Sequence, residues 1–271
     1  METQKTIKVG SLISYDYMYI KEMLPRIYEY ADIIVFALDK ERKTWSGNTI
    51  DIPDSFFSWL KEFDINNKIS LYEDNFYIPE LSPMECEVRE RNLLSKFMGE
   101  GGWHIQIDSD EYFIDFKSFT EYLKKLDITK PTTVFVEWIH LFKRDENGFY
   151  IIEPHEPIEI ATNKPAYEHG RAKLKYSGNE KRIYTDFKML HQSWARNDDE
   201  ISFKINNWGH ANDFNTESYF KIWQNINKHT YKFIQSFHPL DAWRWKYLIY
   251  FETQSISTLI EKVKERESIK K

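Results

Sequence analysis

The 271 residues are enough for one large domain, or for a core domain with a substantial C-terminal addition. The formal net charge of −6 argues against broad nucleic-acid binding, which depends on neutralising phosphates with lysine and arginine. A single cysteine, Cys86, excludes an intramolecular disulfide, and no run of 18 apolar residues is present to span a bilayer. With a polar start that lacks a secretory signal, these features predict a cytoplasmic protein.

The first 140 residues alternate short apolar runs with helical patterns, which is typical of an α/β fold with a mostly parallel sheet. Pro25 predicts that the first helix is kinked or begins late, and Ser118 with Glu121 suggests a capping box for a helix reaching residue 126. Strands are predicted at Ile7–Ile13 and at residues 33–38, 68–72 and 103–107, and helices at residues 17–30, Asp54–Phe63 and 84–98.

Beyond residue 130 the pattern becomes mixed. A strand at residues 132–142 leads into a hairpin turn at 145–148, and residues 150–190 are polar and proline-containing, which predicts irregular structure. Helices are predicted at residues 198–208 and 216–235. The charged, amphipathic tail at 255–271 either packs on the body, pairs with another chain or contacts a membrane surface.

Two aspartates, Asp108 and Asp110, stand one residue apart directly after the fourth predicted strand. The C-terminal ends of parallel strands border the crevice where ligands bind, so both carboxylates can reach one hard cation. Mg²⁺ and Mn²⁺ suit oxygen ligands and usually also bind substrate phosphates, where they neutralise charge on a departing diphosphate. An isolated Asp-x-Asp is more often a solvated turn, but the preceding apolar strand and the α/β alternation favour a metal site.

The stretch Arg91-Asn92-Leu93-Leu94, followed by GWHIQIDSDE at residues 102–111, resembles the core of GT-A-fold glycosyltransferases of the large family-two type. The resemblance covers residues 5–115 and continues loosely through His191 and residues 204–210, as in bacterial members. It implies a GT-A fold with a mostly parallel central sheet flanked by helices. Residues 1–190 would form the nucleotide-sugar-binding and catalytic core, and residues 191–271 a mixed, helical section packed on it.

The resemblance also implies roles for individual residues. Asp110 would be the principal metal ligand and a catalytic residue, and Asp108 would contact the metal or the donor ribose. Ser14 and Tyr15 would lie beside the base, and Asp39 would contact the nucleotide. The family's usual Asp-x-Gly-Ser-x-Asp loop is replaced here by DKER at residues 39–42, which leaves the identity of the nucleotide open.

Further candidates come from the second half of the chain and from the Arg-Asn helix. Arg91 either faces the diphosphate or forms a surface ion pair with Glu87. GT-A enzymes often complete the metal site with a C-terminal histidine, for which His191 is the first candidate and His210 the second. Glu137 is the candidate general base because burial in an apolar strand raises a carboxyl pKa, although an exposed edge position fits it equally. Trp138, Trp194 and Trp208 are candidates for an acceptor platform.

These features predict a Mn²⁺- or Mg²⁺-dependent, hexosyltransferase-like enzyme. It would move a sugar from a nucleotide-sugar, with a UDP-sugar favoured, to a saccharide or glycolipid acceptor, and the resemblance favours inversion at the transferred carbon. The setting would be bacterial polysaccharide biosynthesis, in the cytoplasm with peripheral membrane contact open and no nucleic-acid partner. Two alternatives remain: a metal-dependent sugar nucleotidyltransferase, disfavoured by the single glycine of Val9-Gly10-Ser11, and an inactive carbohydrate-binding protein of the same fold. The sequence does not predict the oligomeric state.

Overall fold

The computed structural model describes residues 5–175, 178–207, 214–241 and 243–270. Its strands are β1 (Ile7–Ile13), β2 (Ile33–Asp39), β3 (Ile69–Asp74), β4 (Trp103–Gln106), β5 (Glu111–Phe113), β6 (Thr132–Arg144), β7 (Gly148–Glu153), β8 (Glu156–Thr162), β9 (Lys181–His191) and β10 (Tyr247–Glu252). Its α-helices are α1 (Ile20–Ile27), α2 (Asp54–Phe63), α3 (Pro83–Phe97), α4 (Phe116–Lys125), α5 (Asp198–Asn207), α6 (Thr216–Gln224) and α7 (Ile256–Lys270), with 3₁₀ turns at Tyr17–Tyr19 and Tyr231–Phe233.

These elements form one large mixed sheet flanked by helices, which confirms the α/β fold class. The strand order is β10-β7-β6-β8-β4-β1-β2-β3, and β9 pairs with both β6 and β5. The four predicted N-terminal strands are present and run parallel as β4-β1-β2-β3, whereas β8 joins β4 antiparallel and carries the sheet into its second half. The C-terminal ends of β1, β2 and β4 therefore meet at one edge, where Asp108 follows β4.

Strand β1 is buried along its whole length and packs against helix α3. A side chain at Gly10 would bring its Cβ within 2.9 Å of the Leu94 Cδ2 and 3.0 Å of the Met98 Cε. Glycine at this position lets α3 lie close to the strand, which fixes the distance from α3 to the site edge. The glycine thus serves helix packing.

The starts of helices α1, α3 and α4 can be compared with the capping pattern of the sequence. Helix α4 begins earlier than predicted, because the Asp115 side chain caps it by accepting from the Ser118 N–H; the predicted capping box at Ser118 is wrong. A complete capping box does exist at the start of α3, between Ser82 and Glu85. Helix α1 begins only at Ile20, after a 3₁₀ turn, which confirms the late start.

The irregular structure predicted for residues 150–190 is wrong in part, since strands β7 and β8 extend to residue 162 and β9 begins at residue 181. Pro154 falls in the short connection between β7 and β8, and Pro157 stands at a position of β8 opposite Glu137. The prolines therefore mark a turn and a strand start, and the period-two alternation of residues 183–187 carries the signal for β9.

The C-terminal residues contain more strand and less helix than expected. Helix α6 ends at Gln224, well before residue 235, and β10 pairs antiparallel with β7. In α7 the apolar residues Leu259, Ile260 and Val263 are buried in the main core, so the tail packs on the body. No helix in the described ranges is long and apolar enough to cross a membrane. The division of the chain at residue 190 stays a prediction.

Candidate active site

A cleft of about 190 Å³ opens at the carboxyl edge of the parallel strands. Strand β6, the last residue of β9, and helices α3 and α5 supply its other walls. Every predicted binding or metal residue (Ser14, Tyr15, Asp39, Arg91, Asp108, Asp110 and His191) lines this cleft, and Glu137 does not. The remaining lining residues are Leu12, Ile13, Asp16, Lys43, Trp45, Glu87, Glu90, Ser109, Trp138, Lys204 and Asn207.

Asp108 is bound by two arginines. The Arg91 Nη2 donates to both Asp108 carboxylate oxygens at 2.9 and 3.2 Å, and the Arg171 Nη2 lies 3.3 Å from the Asp108 Oδ2. Burial alone raises the pKa of the Asp108 carboxyl, but these two guanidinium groups outweigh it and hold the pKa below its usual value. Arg91 also pairs with Glu87, at 2.9 Å, and is itself buried. The predicted ion pair with Glu87 therefore exists, but it is buried, and Arg91 also bridges α3 to Asp108. Its contact with a diphosphate stays a prediction.

Glu111, for which the sequence suggested no role, closes the turn that carries the two aspartates. Its side chain is fully buried, and its Oε2 accepts from the Asp108 N–H at 2.8 Å and from the Arg171 Nη1 at 2.8 Å. The same Arg171 Nη1 donates to the Gln106 carbonyl at 2.8 Å. The glutamate therefore fixes the Asp108 backbone, and Arg171 ties that turn to the end of β4.

Asp110 lies deeper and faces a second cationic group. The Arg196 Nη2 donates to the Asp110 Oδ2 at 2.5 Å and to the Asp16 Oδ2 at 3.1 Å, and the Lys204 Nζ lies 3.9 Å from the Asp110 Oδ2. Burial raises the pKa of the Asp110 carboxyl, but Arg196 and Lys204 reverse this and lower it. Burial lowers the pKa of Lys204 to about 8, with the charge of Arg196 adding to the effect.

Strand β9 returns His191 to the cleft beside Asp110, as predicted. In the β5–β9 ladder His191 is the partner of Glu111, and its Nε2 lies 3.6 Å from the Asp110 Oδ2, too far for a hydrogen bond. Its Nδ1 lies 3.1 Å from the Nδ1 of His140, and its ring stacks on Trp138 with centroids 4.3 Å apart. Burial, with the charge of Lys204 among the lesser causes, lowers the pKa of His191, so the imidazole is neutral.

Asp39 holds two loops together. Its Oδ1 accepts from the backbone N–H groups of Glu41 and Lys43, at 2.9 and 3.1 Å, and its Oδ2 from those of Phe76 and Tyr77, at 2.8 and 3.0 Å. Four donors use the acceptor sites of a carboxylate, which leaves none for a nucleotide. The direct nucleotide contact expected of Asp39 is therefore not supported by this geometry, although the loops that it joins border the cleft.

The surroundings of Glu137 also differ from those expected of a general base. Burial raises its pKa, but hydrogen bonding to His155 and Lys188 outweighs this and lowers the pKa to about 2. A carboxylate so strongly ionised is a poor proton acceptor near pH 7. Because Glu137 is also 37% exposed and lies outside the cleft lining, its geometry does not support the general-base role.

Of the candidate acceptor platform, the described residues place one ring, Trp138, in the cleft. Trp138 lines the cleft and stacks on His191, whereas Trp194 is buried in a second hydrophobic cluster and its carbonyl accepts from the Trp223 Nε1. Trp208 and the second metal candidate, His210, lie outside the described residues.

Several residues of the site were not found by sequence reasoning. Arg171 and Arg196 lie in connecting segments with no motif, and Lys204 and Asn207 lie on a helix whose pattern indicated only ordinary packing. Glu90 is adjacent to the motif residue Arg91, and this position in the sequence could have indicated that it belongs to the site. Its carboxylate accepts from the Trp45 Nε1 at 2.7 Å inside the cleft.

The donor groups in the cleft fit a divalent cation whose remaining ligands are water and substrate phosphates. Among the described residues, no group of three His, Cys, Asp or Glu side chains is arranged as a ready-made metal site. Mg²⁺ and Mn²⁺, however, are commonly held by one or two carboxylates and completed by water and substrate phosphates. Asp108 and Asp110 ionised and His191 neutral are the protonation states that ligation requires. The 3.6 Å between the His191 Nε2 and the Asp110 Oδ2 is within the span of two bonds of about 2 Å to one ion.

No protein-family model and no curated protein matches this chain. Among solved structures, HddC from Yersinia pseudotuberculosis is similar at 15% identity over 69% of this chain and 94% of its own, with a TM-score of 0.34. A putative glucose-1-phosphate thymidylyltransferase from Bacillus anthracis, in complex with a sucrose, is 10% identical over 82% and 97%, with a TM-score of 0.38. A mannose-1-phosphate geranyltransferase from Thermus thermophilus is 11% identical over 57% of this chain and 50% of its own, with a TM-score of 0.29. These TM-scores are too low to carry an argument about the site.

Proposed function

We propose that the chain is a glycosyltransferase that binds a nucleotide-sugar with a divalent cation and transfers the sugar. The observation that carries this proposal is the convergence of Asp108, Asp110 and His191 on one cleft with Arg91 and Lys204. Carboxylates and a neutral imidazole suit the cation, and the buried cations beside them suit a diphosphate. The motif at residues 102–111 and its resemblance to the GT-A family support the same function.

The charge balance of the cleft supports joint entry of cation and diphosphate. Among the described groups, the carboxylates Asp16, Glu87, Asp108, Asp110 and Glu111 face the cations Arg91, Arg171, Arg196 and Lys204. The cluster is therefore close to neutral, and adding a lone divalent cation or a lone diphosphate to this buried place would leave an uncompensated charge. A cation already paired with a diphosphate adds little net charge.

The cation would act as a Lewis acid on the leaving diphosphate. The chain's own groups would prepare that step. Arg91 and Arg171 fix Asp108, and Arg196 fixes Asp110, so that neither carboxylate has to be ordered when the substrate arrives. Lys204 is a buried cation that faces the cleft and would neutralise charge on the departing phosphate.

His140 is proposed as a positioning residue for His191. For the His191 Nε2 to offer a lone pair to a cation, the Nδ1–H of His191 must donate to the Nδ1 of His140, 3.1 Å away. The two residues are register partners of β6 and β9, so the sheet itself sets this contact. Metal-bound histidines commonly donate their second ring N–H in this way.

The acceptor, donor and setting follow only from the sequence. A saccharide or glycolipid acceptor, a UDP-sugar donor, inversion at the transferred carbon and a bacterial polysaccharide pathway remain proposals. Trp138 at the cleft wall offers an aromatic face to a sugar ring.

The second candidate is sugar nucleotidyl transfer, the kind of reaction that the name of the Bacillus anthracis protein describes. None of the three similar structures is named a glycosyltransferase. A nucleotidyltransferase of this class is expected to use a glycine-rich phosphate loop near the first strand. Here Gly10 is occupied with packing against Leu94 and Met98, and β1 leads directly into Ser14, which argues for glycosyl transfer.

The two reactions can be separated by their products. Purified protein is incubated with Mn²⁺ and a panel of nucleotide-sugars, and in parallel with nucleoside triphosphates plus sugar-1-phosphates. Glycosyl transfer, or its slow hydrolytic version without acceptor, releases nucleoside diphosphate; nucleotidyl transfer releases pyrophosphate. We expect cation-dependent nucleoside diphosphate and no pyrophosphate, and the Asp110→Asn variant should lose the signal by more than about 100-fold, as expected for loss of a main transition-state charge contact. Pyrophosphate release would establish the second candidate instead.

A further inference from the structure

A hydrogen-bonded loop precedes β10 at the edge of the sheet. Residues 235–237 and 245–247 pair through an antiparallel bridge between Gln235 and Tyr247 and through bonds such as the Phe237 N–H to the Trp245 carbonyl at 3.0 Å. The described residues of the tip are 238–241, 243 and 244. The His238 Nδ1 accepts from the N–H groups of Leu240 and Asp241, at 3.2 and 3.0 Å, and so fixes the first half of the tip.

The second half of this tip is fixed by Asp241. Its side chain accepts from the Trp243 N–H at 3.2 Å, and its carbonyl accepts from the Arg244 N–H at 3.0 Å. The side chains at the tip are thus presented by a backbone with its own hydrogen bonds. Their outward orientation is a property of a structured loop.

The tip loop (residues 238–244) and the neighbouring 3₁₀ turn expose large apolar side chains. Trp243 and Phe233 are each 81% exposed and Leu240 is 54% exposed. Single exposed apolar residues are ordinary, but a tryptophan, a phenylalanine and a leucine within one short segment indicate a surface that meets an apolar phase.

The charge around these side chains identifies that phase. Residues 228–246 contain four cations, Lys228, Lys232, Arg244 and Lys246, and one acid, in a chain whose net charge is −6. Arg244 is paired with Glu156 and Lys228 with Glu252, so the positive charge offered to a ligand comes from Lys232 and Lys246, which are both exposed. Tryptophan with lysine and arginine is the combination found where proteins meet anionic membrane surfaces.

The inner end of the loop packs against the histidine pair next to the cleft. The Trp245 ring lies 5.6 Å from that of His140, which contacts His191, and the Trp245 Nε1 donates to Glu156 at 2.7 Å. The tip is therefore connected through Trp245 and His140 to His191, which lines the cleft.

We propose that the tip loop docks the protein on an anionic lipid surface, with Trp243 and Leu240 entering the headgroup region and the surrounding lysines contacting lipid phosphates. If the proposed function holds, this placement favours a lipid-linked acceptor. The docking itself does not depend on that function.

Co-sedimentation with vesicles tests the docking. The full chain is mixed with phosphatidylcholine vesicles, with or without about 30% phosphatidylglycerol, at about 50 and 500 mM salt, which shortens the screening length several-fold. The test variant is Trp243→Ser/Leu240→Ser. The control is Ile65→Ser, because Ile65 is 78% exposed and precedes β3, at the opposite edge of the sheet from β10.

The wild type and Ile65→Ser should bind the anionic vesicles at low salt and lose most of that binding at high salt. The double variant should bind at least tenfold more weakly. Absence of wild-type binding at low salt, or equal binding by the double variant, overturns the proposal. Concentration-dependent dimerisation of the wild type that the double variant lacks would assign the patch to a second copy and also overturn it. Nucleotide-sugar hydrolysis, assayed without vesicles, reports separately on the proposed function.

Discussion

At the scale of single residues, the pair of histidines beside Asp110 makes the sharpest prediction about the metal. His140→Phe removes the acceptor for the His191 Nδ1–H and should weaken apparent Mn²⁺ affinity by about tenfold or more, as loss of such partners commonly does. His140→Asn, whose Oδ1 can take the place of the histidine Nδ1, should recover much of it. The measurement is a Mn²⁺ titration with saturating UDP, following free Mn²⁺ by electron paramagnetic resonance.

His191→Ala serves as the reference for that titration, because it removes the proposed ligand itself. A purely structural role for His140 predicts that Phe and Asn variants lose thermal stability while their Mn²⁺ affinity stays at the wild-type value. That pattern would contradict the positioning role.

Glu90 predicts a pH-dependent stability. Burial raises its pKa to about 8, against the opposing hydrogen bond from Trp45, whereas in the unfolded chain it titrates near 4.5. Between these values the folded state retains a proton that the unfolded state has lost. Its contribution to the free energy of unfolding is therefore complete below about pH 4.5 and is lost as the pH rises toward 8, with a slope of at most about 1.4 kcal/mol per pH unit.

Glu90→Gln keeps the neutral shape and should flatten this slope. Urea unfolding at about pH 5.5 and about pH 8 should show a smaller difference in the free energy of unfolding for the variant than for the wild type. Identical differences in both proteins would mean that Glu90 is ionised in the folded state. Glu85→Gln is a suitable control for the loss of one carboxylate, because it lies on the exposed start of the same helix.

At the scale of elements, the contact of β1 with α3 sets the position of Arg91. Gly10→Val would press two methyl groups against Leu94 and Met98, and overpacking of this kind costs about 1–3 kcal/mol. Leu94→Ala in the same chain should restore part of the stability by making room. Gly178→Ala is the control, since an added Cβ there meets no atom within 4 Å. The melting temperatures of the wild type, Gly10→Val, Gly10→Val/Leu94→Ala and Gly178→Ala are compared by thermal unfolding.

The same series also tests the role assigned to Gly10. If Gly10 bound phosphate, Gly10→Val would reduce nucleotide affinity and Leu94→Ala would not recover it. Recovery of both stability and nucleotide affinity in the double variant is expected from a packing role.

The parts of the fold that the sequence predicts are those with a local cause. Strand β2 is an almost continuous apolar run, and β1 and β4 carry apolar residues at alternate positions. Helices α2 and α3 have clear starts, so period and capping suffice for these elements. Strands β7 to β10 depend on pairing between distant segments, and the prolines near β8 conceal them. No local pattern in 150–190 shows that β9 will be inserted beside β6.

The residues of the candidate site also fall into those that a local sequence pattern predicts and those that it does not. Asp108 and Asp110 are predictable because a strand end and a motif coincide, and His191 because an apolar run precedes it. Arg171, Arg196 and Lys204 come from segments far along the chain and act only through their burial next to the aspartates. The roles of Asp39 and Glu137 depend on partners that no sequence spacing reveals, namely four backbone N–H groups for the one, and His155 and Lys188 for the other.

At the scale of the whole molecule, the sheet gathers acids and cations from both halves of the chain at one edge. The parallel strands deliver Asp108 and Asp110, while β9 and helix α5 bring His191 and Lys204 to the same cleft. The affinity for a nucleoside diphosphate should therefore depend strongly on a bound divalent cation, and the reverse, because each ligand supplies the charge that the other requires.

Isothermal titration of the protein with UDP, in Mn²⁺ and in excess EDTA, tests this most directly. The wild type should bind UDP at least tenfold more tightly with Mn²⁺, and Asp110→Asn should lose that difference while remaining folded by circular dichroism. Equal UDP affinity with and without the cation in the wild type, or a full cation effect in Asp110→Asn, would contradict the account of the site.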